Sequence, residues 1–79
     1  NPVTTINYDL PKDAHVKFVI YDILGREVIE LVNQQIPAGY QTVIWNTRNQ
    51  FGSSVAAGIY FYQIQTVGFI KTRKMVLLK

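Results

Sequence analysis

Three features of the amino-acid sequence predict an all-β, antiparallel sandwich of about seven strands. Apolar residues recur at every second position through most of the chain. Turn-forming clusters separate these runs at spacings of about 8–12 residues. No apolar stripe of helical period is long enough to bury one face of a helix. The 79 residues suffice for one domain, and a chain this short buries only about 60% of its unfolded surface.

The elements follow in order. Thr4 to Leu10 alternates, with Ile6, Tyr8 and Leu10 on one side, and Pro11-Lys12-Asp13 ends the run. Ala14 to Tyr21 places Ala14, Val16, Phe18 and Ile20 on one face. Asp22-Ile23-Leu24-Gly25 carries Asp at the first and Gly at the fourth position of a type I turn. Arg26 to Val32 is the third strand, and Ile36-Pro37-Ala38-Gly39 repeats the turn chemistry. Gln41 to Asn46 is the fourth, with Val43 and Trp45 pointing the same way. Thr47 to Ala57 is the longest loop, with a short strand expected at Ser54-Val55-Ala56.

Gly58 to Gln65 and Phe69 to Leu78 form the last hairpin. A β-branched Val67 resists positive φ, so a type I turn with Gly68 in a bulge is expected there. The expected core is Ile6, Tyr8, Val16, Phe18, Ile20, Val28 and Leu31 from the first half, and Val43, Trp45, Tyr60, Tyr62, Ile64, Met75 and Leu77 from the second.

Charge is unevenly placed. Eight Lys and Arg against five Asp and Glu give a net charge of +3. All the acids (Asp9, Asp13, Asp22, Glu27, Glu30) lie in the first 30 residues, and Arg48, Lys71, Arg73, Lys74 and Lys79 lie in the second half. That asymmetry favours an acidic partner or an anionic surface. There is no cysteine, which excludes disulfides and thiolate metal sites. No apolar run reaches the roughly 20 residues of a membrane-spanning helix. Asn1-Pro2-Val3 lacks an initiator Met and a signal-peptide pattern, so the chain is expected to be the C-terminal piece of a longer protein, ending at Lys79.

Catalytic chemistry finds little purchase. His15, the single histidine, points away from the Val16/Phe18/Ile20 face and lacks a neighbouring partner. Glu27 and Glu30 stand three apart on a strand, so they are expected on opposite faces and not as a paired-carboxylate site. Asp22 is expected to cap its own turn, and Ser53 and Ser54 sit in a glycine loop with no base nearby. The loop's Asn46, Asn49 and Gln50 come without an acid, so no metal site and no cofactor is expected. Lys71, Arg73 and Lys74 with Tyr60, Phe61 and Tyr62 evoke nucleic-acid stacking. Tyr60 and Tyr62 share a face with core Ile64, however, so no nucleic acid is expected and the chain reads as non-enzymatic.

Apolar residues on the other face stand out: Ile59, Phe61, Val19, Tyr21, Val76 and Leu78. They either pack beneath the long loop or form a docking patch, with Ile59 and Phe61 at its centre.

Several segments together resemble a known family. They are Asn1 to Pro11 (NPVTTINYDLP), Val16 to Val28 (VKFVIYDILGREV), Ile36 to Gly39 (IPAG), Trp45-Asn46, Gly52 to Ile64 (GSSVAAGIYFYQI) and Lys71 to Lys79 (KTRKMVLLK). The chain resembles the C-terminal sorting domain, type A, of the type IX (Por) secretion system. It is also similar to a sister family, the immunoglobulin-like domain of the flagellar hook-capping protein. One departure is Asn46-Thr47, where related sequences often show Asp-Gly after the tryptophan.

The resemblance implies an immunoglobulin-like β-sandwich and a role as an export signal. Such a domain ends a cargo protein, which passes through the periplasm and the type IX translocon to the cell surface or the medium. A sortase-like peptidase commonly removes the domain, here just before Asn1. Carried over by position, the recognised residues would be Gly58, Tyr60, Lys71, Arg73, Lys74, Met75, Val76, Leu77, Leu78 and Lys79. The partners would be the translocon, the peptidase and the preceding cargo domain.

Basic residues on a sheet edge also deter uncontrolled strand pairing, which is a sufficient reason for them without any recognition. Pairing of two copies through the last strand is a further expectation for the isolated chain. The alternatives are an accessory immunoglobulin-like or carbohydrate-binding module, with Phe61 and Tyr21 as its aromatic platform, and a flagellar hook-cap domain.

Overall fold

The computed structural model describes residues 3–78; expectations for Asn1, the cleavage position before it, and Lys79 lie outside the described residues. Six strands are present: β1 (Thr4–Leu10), β2 (Ala14–Asp22), β3 (Glu27–Ile36), β4 (Gly39–Trp45), β5 (Gly58–Thr66) and β6 (Phe69–Leu77). β1 pairs antiparallel with β4 in a two-stranded sheet, and the second sheet has the order β3-β2-β5-β6, also antiparallel. The expected strand at Ser54-Val55-Ala56 reduces to a single bridge between Arg48 and Ser54, so the count is six.

Alternation drives the packing. Ile6 and Leu10 of β1 and Val43 and Trp45 of β4 meet Val16, Phe18 and Ile20 of β2. Val28, Tyr60, Ile64 and Leu77 complete the buried cluster. Aromatic rings tie the layers together. Phe18 stacks on Tyr62 at 5.3 Å, Tyr8 tilts onto Phe18 at 5.9 Å, and Trp45 meets Tyr60 edge-on at 5.4 Å. Phe18, fully buried, contributes about 1.5–3 kcal/mol by leaving water. Of the expected core, Tyr8, Leu31, Tyr62 and Met75 are only half-buried and pack against the cluster from its margin. Leu10, at 2% exposure, belongs inside it.

β3 corrects a sequence expectation. Its pairing with β2 slips twice, between Phe18 and Val19 and between Ile20 and Tyr21. Each slip is a bulge, in which one extra residue of β3 loses its partner and the face inverts. Glu30 therefore pairs with Val19 and Glu27 with Tyr21, so both glutamates share the outer face. Val19 is itself buried, at 2%, but on that outer face and outside the main cluster, because β2 has a neighbour on each side.

The turns follow the expected chemistry with one exchange. Gly25 N–H donates to Asp22 C=O at 3.0 Å and Asp22 N–H to Arg26 C=O at 2.9 Å, with Gly25 at φ +82°. This is a type I turn closed by a glycine bulge. The bulge expected at Gly68 is absent: Thr66 pairs directly with Phe69, leaving Val67-Gly68 as a two-residue loop. Positive φ falls on Gly68 alone, at +102°, the pattern of a type II turn, and this spares Val67 the left-handed backbone.

Candidate functional site: the C-terminal edge strand

β6 is a complete strand along its nine residues, in register with β5 from Gly58↔Leu77 to Thr66↔Phe69. Its other edge is open, because β6 ends the four-stranded sheet. Leu77, at 3% exposure, anchors the strand in the core, and half-buried Met75 packs beside it. Between and beyond these anchors the strand is exposed: Val76 at 59%, Leu78 at 79%, and Lys71, Arg73 and Lys74.

The register divides the basic cluster. Lys71 pairs with Ile64 and Arg73 with Tyr62, so both lie on the inner face, where the two-stranded sheet does not reach. Lys74 pairs with Phe61 on the outer face. Two cations thus look into the mouth of the sandwich and one looks away. Among the described residues the only ion pair joins Arg26 to Asp22, so none of these three cations is paired with a described acid.

The other nominated residues serve β6 from beneath. Gly58 opens β5 at φ +147°, a backbone that side-chain-bearing residues rarely adopt. Tyr60 is buried at 8%, packs on Trp45, and donates its hydroxyl to Ala56 C=O at 2.7 Å. Burial, reinforced by the charge of Asp22, pushes its phenol pKa up. The side chains of Tyr60 and Leu77 thus lie in the core, from which they position the strand.

Ile59, 38% exposed, lies opposite Val76, and half-buried Phe61 lies beside Tyr21. The structure thus brings Ile59, Phe61, Tyr21 and Val76 onto one outer surface. The long loop does not cover it. Gln50 N–H donates to Val28 C=O, Trp45 Nε1–H to Arg48 C=O, and Val55 packs on the core, all holding the loop elsewhere.

Loop order comes from Asn49, weighed above only as a metal ligand, and from Arg48. Asn49 Oδ1 accepts from Phe51 N–H at 2.9 Å and Ser53 N–H at 3.0 Å, while Arg48 Nη1 donates to Gly52 C=O at 2.9 Å. Thr47, 2% exposed, holds φ at +61° and donates its hydroxyl to Asn46 C=O at 2.7 Å. Thr47 thus holds a left-handed backbone that glycine adopts more readily than a β-branched residue. At the opposite end, Asp13 Oδ1 accepts from Ala38 N–H at 2.7 Å and ties two turns together. Asp22 caps its turn as expected, accepting from the backbone N–H groups of Leu24 and Arg26 and from Arg26 Nε. The Arg26 backbone bond is the main cause that holds this carboxyl below the usual range. His15, exposed, shares a 2.6 Å hydrogen bond with Asn33.

Comparison with known proteins agrees with this architecture. A crystal structure of FlgD from P. aeruginosa superposes with a TM-score of 0.78 at 23% identity, covering 96% of this chain. The chain spans 61% of that FlgD chain. No curated protein matches. A family model, the FlgD Ig-like domain, matches residues 2–68. With two sheets in this order and most of its length matched, the chain belongs to the FlgD Ig-like domain family.

Proposed function

We propose that this chain is a non-enzymatic docking domain whose working element is β6. The observation that supports the reading is the division of labour within that strand: Leu77 is locked in the core while Lys71, Arg73, Lys74, Val76 and Leu78 stay exposed beside an open edge. An edge strand offers a partner both unpaired backbone groups and a row of side chains.

Two settings fit such a domain. The family match and the likeness to FlgD favour a flagellar hook-cap role, in which the domain packs within an extracellular assembly. The resemblance to type IX sorting domains favours an export label read by the translocon, with transit through the periplasm to the cell surface. The strand that this second reading depends on, β6, starts just beyond the matched residues 2–68.

One experiment tests the proposal and separates the settings. The full-length parent protein carrying Lys71→Gln, Arg73→Gln and Lys74→Gln is expressed in its native cell. Retention in the periplasm supports the export label. Correct location with loss of hook assembly supports the cap role. Normal location together with normal assembly overturns docking through β6.

A further inference from the structure

We propose that the sandwich holds a strand-acceptor groove, distinct from the β6 edge, that takes an extended segment of another protein carrying acidic side chains at every second position. The two sheets are unequal. Two strands face four, and β4 approaches β3, which leaves the free edge of β1 facing β5 and β6. A groove of about 660 Å³ opens there.

The lining pattern shows what kind of groove it is. One wall consists of four consecutive residues, 7–10 of β1. Consecutive residues can line a cavity only along the edge of a strand, since a strand's face exposes alternate ones. The floor consists of Tyr62 and Ile64 of β5 and of Phe69, Lys71 and Arg73 of β6, which alternate and so form a face. An unpaired strand edge standing over an uncovered sheet face is the place of a missing strand. An extended segment laid there pairs its backbone with β1 and drops every second side chain onto the floor. Four residues of wall correspond to about 13 Å of strand.

Charge selects the occupant. Lys71 and Arg73 stand two apart on one row of the floor and have no ionic partner among the described residues, and Phe69 continues the same row. Inward side chains that complement the row are two acids and then an apolar residue, each separated by one outward residue. Asn7 and Asp9 alternate with buried Ile6 and Leu10, so they point out of the sandwich and leave the floor's charge positive. A second copy of this chain is a poorer occupant. Its strands are committed to their own sheets, and the edge strand that carries two acids on one face, β3, is doubly bulged. The inference goes beyond docking through β6, because the pairing edge is that of β1.

The test titrates the 79-residue chain with the synthetic peptide Thr-Glu-Thr-Glu-Thr-Phe-Thr, capped at both ends, and follows backbone amide resonances. Saturable binding that shifts residues 7–10 and slows their hydrogen exchange is expected. Lys71→Glu with Arg73→Glu should weaken it at least tenfold while the thermal midpoint holds, since both side chains are exposed. A peptide of the same composition with its two acids adjacent should bind at least fivefold more weakly. Three outcomes overturn the proposal: no saturable binding at millimolar peptide, equal binding of both peptides, or shifts confined to β6. Sedimentation provides a fourth, a dimer that buries residues 7–10 and that the peptide does not dissolve.

Discussion

The docking proposal requires the end of β6 to be held in the core, and adjacent residues Leu77 and Val76 allow a direct test. Leu77 is 3% exposed and pairs with Gly58, whereas Val76 is 59% exposed on the opposite face. Leu77→Ala removes buried methyl groups and leaves a cavity, a change that costs about 2–5 kcal/mol in well-packed cores. The site lies one residue from exposed Leu78, so partial collapse is available and the lower part of that range, about 2–3 kcal/mol, applies. At about 0.05–0.15 kcal/mol per residue, a domain of this size has about 4–12 kcal/mol in total. The loss is thus a large fraction of the whole. With about 4–8 °C per kcal/mol for a domain of this size, the midpoint should fall by about 10–20 °C. Val76→Thr replaces one strand-favouring, exposed side chain by another and should stay within about 0.5 kcal/mol, or a few degrees. Thermal melts followed by far-UV circular dichroism and by the fluorescence of the single Trp45 measure both variants. If Leu77→Ala melts within about 3 °C of the parent, the end of β6 is not docked and the anchored-strand argument fails.

Three further predictions concern the scaffold. At Thr47, the left-handed backbone costs a β-branched residue about 1–2 kcal/mol, which Thr47→Gly relieves. The added chain entropy of glycine, about 0.5–1 kcal/mol, the lost methyl burial, about 0.8 kcal/mol, and the lost hydroxyl bond to Asn46, about 0.5–1.5 kcal/mol, together match or exceed the gain, so Thr47→Gly should melt at or below the parent. Thr47→Ala loses the same hydroxyl bond and methyl but keeps the strain, so it should melt below Thr47→Gly; an alanine variant as stable as the glycine variant would refute the strain. Tyr60 has its pKa raised in the folded state, so it stabilises the fold below the unfolded value near 10 and loses that contribution as pH rises through the folded value. Tyr60→Phe should cost about 0.5–1.5 kcal/mol at neutral pH for the bond to Ala56 and flatten the alkaline limb of a midpoint-against-pH curve; an unchanged alkaline limb would count against the assignment. Asp22 has the opposite sign. Its depressed carboxyl stabilises the fold above the unfolded value near 4 and ceases to as pH falls through the folded value, so Asp22→Ala should lower the midpoint at pH 7 and make the loss vanish by pH 2.

The boundaries of β1, β2, β5 and β6 were legible to within a residue because Pro11, the Asp22-led turn, Gly58 and the Val67-Gly68 turn punctuate the chain beside them. The Asp22 cap was legible for the same reason, since its donors lie within four residues. What failed depends on neighbours distant in sequence. The two bulges of β3 arise from its pairing with β2, and nothing local in Glu27 to Glu30 announces that both acids turn outward. The burial of Val19 needs a strand on each side of β2. The split of Lys71 and Arg73 from Lys74 was implicit in period two, but that the first two face an uncovered floor follows only from the two-against-four arrangement of the sheets. At Thr47 nothing local in the sequence announces the left-handed backbone, which appears only with φ at +61°.

Removing the last residues of such a domain is the obvious way to ask whether they are a signal, and the structure shows why that test misleads. Deleting Met75 onward removes Leu77 from the core and strips β5 of partners for Gly58, Ile59 and Tyr60. A truncated protein would fail in any setting because the domain unravels, whether or not a partner reads the strand. Because side chains alternate, the two roles can be separated by face. Substitutions at Lys74, Val76 and Leu78 alter what a partner meets from outside, and those at Lys71 and Arg73 alter what it meets in the groove, while Leu77 keeps the strand in place. A docking role is therefore supported only by variants that retain the parent's melting curve and still lose localisation or assembly. A series in which function falls in step with the midpoint would reduce β6 to a stabilising strand.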